Sequence, residues 1–128
     1  MIRVKIVLKN ERPKSWNTYW SGMHWTERSD EARRVHILVK YSLKPEQRKL
    51  ITGRVDIFTT VYFKNRPYDS DNIAAKPYID GLKGIILPDD TMKYVGFTAT
   101  RSEVDKKNPR VEIEILDHTD SIPPRKRI

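Results

Sequence analysis

The sequence predicts an α+β fold: a mixed sheet of four or more strands with two main helices packed against it. Three observations carry this. Residues 1–9, 53–64, 94–101 and 110–116 alternate apolar with polar side chains, or run apolar, at strand length. Residues 26–43 place Ala32, Val35, Val39 and Leu43 at helical spacing. Residues 72–83 repeat that spacing with Ala75, Ile79 and Leu82. The length of 128 residues fits one domain, expected over 1–117, followed by a flexible basic tail over 118–128.

Taken in order, the first strand sets Ile2, Val4, Ile6 and Leu8 against Arg3, Lys5 and Lys9, giving one apolar and one charged face. Residues 10–25 hold all three tryptophans, Trp16, Trp20 and Trp25, together with Tyr19. Pro13, Asn17 and Ser21-Gly22 mark this stretch as loop. With Arg12 and Lys14 beside them, the aromatics suit stacking on unpaired bases. They equally suit a core edge or a dimer interface, the commoner use of tryptophan. Thr26 is the expected cap of the first helix, and Glu27, Asp30 and Glu31 favour its positive end. Arg28, Arg33, Arg34 and Lys40 form its expected solvent face; His36 reads as structural rather than catalytic, and His24 and His118 have no partner motif.

Residues 53–64 are apolar on both faces, which predicts a central strand. The second helix, over 72–83, would put Asn72, Lys76 and Asp80 on one face. Pro77 either kinks it or begins its regular part. The last two strands are expected to pair as a hairpin across a loop of about eight residues, with Gly96 at a bulge.

Composition bounds the function. A net charge of +8 favours a polyanionic partner. The absence of cysteine excludes disulfides, zinc thiolates and cysteine nucleophiles and accords with a cytoplasmic location. No apolar run is long enough to predict a membrane helix, and residues 1–5 lack the core of a signal peptide.

Against this basic background, residues 66–90 gather Asp69, Asp71, Asp80, Asp89 and Asp90. An extended Asp69-x-Asp71 would point both carboxylates to one face, and a helix plus a return loop would bring Asp89-Asp90 near them. Mg²⁺ prefers such oxygen donors, usually one or two carboxylates plus substrate phosphate. Lys76 is placed to stabilise phosphoryl charge or protonate a leaving oxygen. The same residue types also serve as turn and N-cap residues, a commoner use. A calcium loop beginning at Asp69 is excluded, because Ala74 stands where glycine is required and Ile73 where an oxygen ligand is required.

Asp69-Ser70-Asp71-Asn72, then Lys76-Pro77-x-x-Asp80-Gly81-Leu82, then Pro88-Asp89-Asp90 resembles the core motif of the RusA-like Holliday junction resolvases. These are small Mg²⁺-dependent endonucleases often carried by phages and prophages. The motif covers roughly a fifth of the chain. The resemblance implies that Asp69, Asp71 and Asp90 hold Mg²⁺ (or Mn²⁺) and that Lys76 assists catalysis, with Asn72 and Asp80 in support. It also implies a homodimer acting on branched DNA, the four-way junction. One departure stands out. Ile73, Ala74 and Ala75 separate Asn72 from Lys76, where the family pattern has two residues. On a helix one extra residue turns a side chain by about 100°. Either the extra residue is absorbed upstream, which the intact Lys76-to-Asp80 spacing favours, or Lys76 is not the exact counterpart of the family lysine.

The expected function is therefore a metal-dependent endodeoxyribonuclease resolving four-way junctions in recombination, repair or phage DNA processing. The alternatives are a non-catalytic DNA-binding phage accessory protein, indifferent to Asp71→Asn, and a small-molecule phosphohydrolase using the same carboxylates.

Overall fold

Strand β2 (Val55–Phe63) is the middle of the fold in the computed structural model, which describes residues 2–119. It pairs in parallel with β3 (Val95–Val104) and antiparallel with β4 (Arg110–Asp117), and β1 (Ile2–Lys9) adds antiparallel to the far side of β4. The sheet order is β1-β4-β2-β3, a mixed four-stranded sheet. With the helices packed on it, this is the α+β class the sequence predicts.

Period-2 patterning becomes rows of side chains across the sheet. Val4, Ile115 and Ile57 form one row, Ile6, Ile113 and Thr59 the next, and Leu8, Val111 and Val61 a third. Helix α2 (Trp25–Ser42) covers this face through Val35 and Val39, one turn apart, with Leu43 just beyond its end. Tyr78, Leu82, Ile86 and Leu87 complete the core. Burying each large apolar side chain contributes roughly 1.5–3 kcal/mol. Register is therefore strongly set, since a one-residue slip would drive Lys5, Glu112 and Glu114 into the core. The opposite face mixes the partly buried Phe58 and Tyr62 with polar side chains. There Arg110 donates to Glu112 at 2.6 Å and to Asp105 at 2.9 Å, its guanidinium lying 3.8 Å from the Tyr62 ring centroid. Burial pushes the Glu112 carboxyl up, but hydrogen bonds from Arg110 and Lys5 outweigh it and hold the carboxyl below its usual range.

The expected hairpin between the last two strands is not formed. β3 and β4 flank β2 on opposite sides, and residues 105–109 cross over its end, where the Asp105 N–H donates to the Phe63 carbonyl at 2.9 Å. A connection of that length reaches at most about 17 Å, enough to step over one strand at a spacing of about 4.8 Å.

Gly96 does lie at a bulge, because Val55 and Ile57 pair with Val95 and Thr98, so that one residue, Asp56, faces two, Gly96 and Phe97. A Cβ at Gly96 would collide with the His118 ring and the Asp56 carboxylate. Asp56, only 2% exposed, accepts from the Phe97 N–H at 2.7 Å and lies 2.7 Å from His118 Nδ1. His118, expected to begin the tail, is thus packed on the sheet. Residues 120–128 of that tail lie outside the described residues.

The helices differ from expectation in three ways. α2 is capped by His24, whose Nδ1 accepts from the Thr26 N–H at 3.2 Å, not by Thr26. The aromatic stretch contains a short helix, α1 (Trp16–Trp20), capped by Ser15. The helix expected over 72–83 is confined to α3 (Lys76–Asp80), with Pro77 in its first turn, where a missing N–H breaks no bond. Ser70–Asn72 is a separate 3-10 turn. Among the described residues no helix is long and apolar enough to cross a membrane.

Candidate functional site

A parallel pair of strands needs a crossover connection. Between β2 and β3 residues 64–94 supply it, and they carry all five clustered aspartates. Its first part is anchored by aromatic packing. The Tyr68 ring meets Phe63 edge-on at 4.9 Å, and the Arg12 guanidinium sits 4.9 and 4.7 Å from those two rings. Arg12 also donates to the carbonyls of Asn65 (3.1 Å) and Arg66 (3.0 Å), so it is fully engaged in holding the loop.

The next part is a turn pinned on two sides. The Asn72 N–H donates to the Asp69 carbonyl at 2.9 Å. The Thr100 hydroxyl of β3 donates to the Ser70 carbonyl at 2.5 Å, tying the turn to the edge strand. On the other side Asn72 Oδ1 accepts from the Asn17 N–H at 3.1 Å, and Ser15 bridges to Ile73. Helix α1 is therefore clamped to the segment that carries Asp71.

Helix α3 is held from beneath. Tyr78 is buried and donates its hydroxyl to Glu11 at 2.6 Å. Glu11, itself buried, receives both terminal nitrogens of Arg34 at 3.0 and 2.8 Å, and Arg34 reaches Glu31 at 2.8 Å. Arg34, expected on the solvent face of α2, is exposed there and is also the centre of this network. Burial, then the Glu11 charge, push the Tyr78 phenol well above its ordinary value, keeping it a neutral donor. Hydrogen bonds from Arg34 to Glu11 and Glu31 raise the guanidinium further, so it stays charged. With Tyr78 fixed inward, Lys76 and Asp80 line the outer side of the helix.

There a cleft of about 370 Å³ opens between α3 and β3. Asp71, Lys76, Asp80 and Asp90 line it together with Trp16, Thr98 and Thr100. Lys76 Nζ is 3.4 Å from Asp80, and Lys83 Nζ is 3.9 Å from Asp80 and 3.7 Å from Asp90. Pairs this exposed contribute only about 0.2–1 kcal/mol, so a phosphate or a cation can displace them. Of the Asp89-Asp90 pair, Asp90 lines the cleft, while an Asp89 oxygen accepts from the Asp90 N–H at 2.8 Å.

Two expectations about geometry fail. Asp69 and Asp71 do not share a face, because the chain turns into the 3-10 turn between them; Asp69 is exposed and outside the residues that line the cleft. Asn72 does not share a helix face with Lys76, since α3 begins only at Lys76. Lys83 is a residue that the sequence reading passed over. Its signal was its position three residues after Asp80, where the two carboxylates are reached together.

Among the described residues no group of three or more His, Cys, Asp or Glu side chains stands close enough together to hold a metal ion. The donor chemistry of the cleft is nonetheless that of a hard cation: carboxylates and hydroxyls, no sulfur or imidazole. Mg²⁺ characteristically takes one or two carboxylates and completes its shell with water and substrate phosphate, which Asp71 and Asp90 can provide. No protein-family model matches the chain, and no curated protein matches its sequence.

Proposed function

We propose that this protein is a Mg²⁺-dependent, structure-selective endodeoxyribonuclease that resolves four-way DNA junctions, working as a homodimer. The observation that carries the reading is the meeting of Asp71 and Asp90 with Lys76 in one cleft on a protein of net charge +8. Those residues belong to the motif that resembles the RusA-like resolvases. A basic surface attracts DNA, and an acidic cleft within it admits a phosphate more readily once a cation neutralises it, which suits a metal-dependent nuclease.

On this reading Asp71 and Asp90 would hold Mg²⁺, with Mn²⁺ able to substitute, and Asp69, outside the residues that line the cleft, would join them only after its turn rearranges. The bound ion supplies polarisation of the scissile phosphoryl oxygen and an activated water. Lys76, its ammonium exposed beside the carboxylates, binds a non-bridging phosphate oxygen and stabilises charge on the leaving oxygen. Asp80 orients Lys76 and Lys83 through its ion pairs. Asn72 keeps the turn and α1 in place through its bond to Asn17. Two such sites related by a two-fold axis match the pseudo-symmetry of a four-way junction, which needs two opposed cuts.

The test is a cleavage assay on a synthetic four-way junction and a linear duplex of matched sequence, with Mg²⁺ and with chelator. Paired, Mg²⁺-dependent nicks across the branch are expected; no cleavage in either Mg²⁺ or Mn²⁺ sinks the reading. One observation favours a second reading, a non-catalytic DNA-binding module. Asp80 and Asp90 are both already neutralised by lysines. That reading predicts tight junction binding without cleavage and indifference to Asp71→Asn.

A further inference from the structure

We propose that Trp16 and Trp20 form a stacking platform for unpaired nucleobases at the mouth of the cleft, so that the site takes DNA with an opened strand in preference to intact duplex. The proposal rests on the nuclease reading for its purpose but not for its measurement.

The two indoles lie nearly parallel, 25° apart with centroids at 6.2 Å, and Tyr19 adds a third ring 5.8 Å from Trp16. Trp16 lines the cleft, whereas Trp20 is 78% exposed. Trp25, at the start of α2, is 70% exposed as well. Large aromatic surfaces left in water on one small element mark an interaction site.

The helix that carries the platform is tied down. Ser15 is buried and accepts from the Thr18 N–H at 3.1 Å. Arg28 of α2 donates to the Tyr19 carbonyl at 2.9 Å. The Asn17–Asn72 bond joins the platform to the turn that carries Asp71. The backbone that carries these rings is thus already in place before binding, on the segment joined to the turn that carries Asp71.

Charge selects the occupant. Lys14 precedes α1, Arg28 is bonded to its end and Lys76 shares the cleft with Trp16, alongside Asp71, Asp80 and Asp90, while α1 itself holds no acidic residue. Cations interleaved with aromatic faces suit a strand that offers both phosphates and bases. In a duplex the base faces are already stacked on their neighbours, so the platform gains only from bases that are unpaired.

The experiment measures binding of the full chain to oligothymidylate and to a blunt linear duplex by fluorescence anisotropy in chelator, where nothing is cut. Wild type, Trp20→Ala and Trp20→Phe are compared, and sedimentation velocity gives the mass of each. Trp20→Ala is expected to weaken oligothymidylate binding roughly 5- to 100-fold, to leave duplex affinity within a few-fold, and to keep the wild-type mass. Trp20→Phe should restore most of the loss. Unchanged oligothymidylate binding by Trp20→Ala would overturn the platform, as would an equal loss on duplex. A change of oligomeric mass would also overturn it and assign the rings to an interface between copies. Failure of wild type to cut a junction in Mg²⁺ would remove the nuclease reading while leaving this result standing.

Discussion

Lys83 Nζ lies 3.7 Å from Asp90 Oδ2 and 3.9 Å from Asp80 Oδ1, joining the residues after α3 to the loop before β3. The ammonium draws together two carboxylates that would otherwise repel. It also competes for Asp90 with any cation entering the cleft.

The two lysines should therefore separate in their effects. Lys76→Met should lower junction cleavage at saturating Mg²⁺ by about 10²-fold, the scale for losing one stabiliser of transition-state charge, with junction binding within a few-fold of wild type. Lys83→Met should instead lower the Mg²⁺ concentration for half-maximal cleavage by no more than a few-fold, since exposed pairs contribute about 0.2–1 kcal/mol. A Mg²⁺ titration of both variants checks this; a raised Mg²⁺ requirement in Lys83→Met would contradict it.

Beneath the cleft, the Tyr78–Glu11 bond is buried and made to a charged acceptor, a class contributing about 1.5–3 kcal/mol. Tyr78→Phe should cost about that much in urea unfolding while leaving the secondary structure unchanged. The pH dependence follows from the raised phenol. Above about pH 10 the unfolded chain releases this proton while the folded chain keeps it. Stability is thus fully present below that pH and falls as pH rises, by up to about 1.4 kcal/mol per unit. Tyr78→Phe should lack this share of the alkaline loss; identical slopes for the two proteins would rule out the buried bond.

At the start of β3, Gly96→Ala forces a methyl into the Asp56–His118 contact. Overpacking of this kind costs roughly 1–3 kcal/mol, read as a lower Tm by thermal denaturation. A Tm equal to wild type would mean that His118 does not sit on Gly96 in solution.

The sheet was legible because each strand's alternation survives burial on one face, as in the rows through Ile6 and Ile113. Strand neighbours were not. That β2 separates β3 from β4 is a long-range preference, set by β2 having buried residues on both faces, Asp56 and Thr60 among them. Short helices were poorly legible too. α1 and α3 span about one turn each, too short for a periodic signal, and caps and prolines decide where they start. Arg34 read only as a surface charge because nothing local reveals its partner Glu11, 23 positions away. At the cleft, Asp71, Lys76, Asp80 and the Asp89-Asp90 pair stood out by their concentration and spacing, while the choice of Asp90 within that pair came only from the resemblance to the resolvase motif. The placement of Asp69 was missed because a same-face argument holds only for an extended chain, and Ser70–Asn72 turns.

That turn grades the aspartates. Asp69→Asn, outside the cleft, should retain more junction cleavage than Asp71→Asn or Asp90→Asn, compared as initial rates at one Mg²⁺ concentration. An order with Asp69→Asn the most damaging would mean that the turn rearranges when DNA and metal bind.

The most direct measurement is of Asp71→Asn on a four-way junction, with cleavage in Mg²⁺ and binding in chelator followed on the same preparation. The account predicts that cleavage is abolished while junction affinity is kept or strengthened, because one repulsive charge has left a cleft that must admit phosphate. Cleavage at the wild-type rate, or loss of binding together with cleavage, would contradict it.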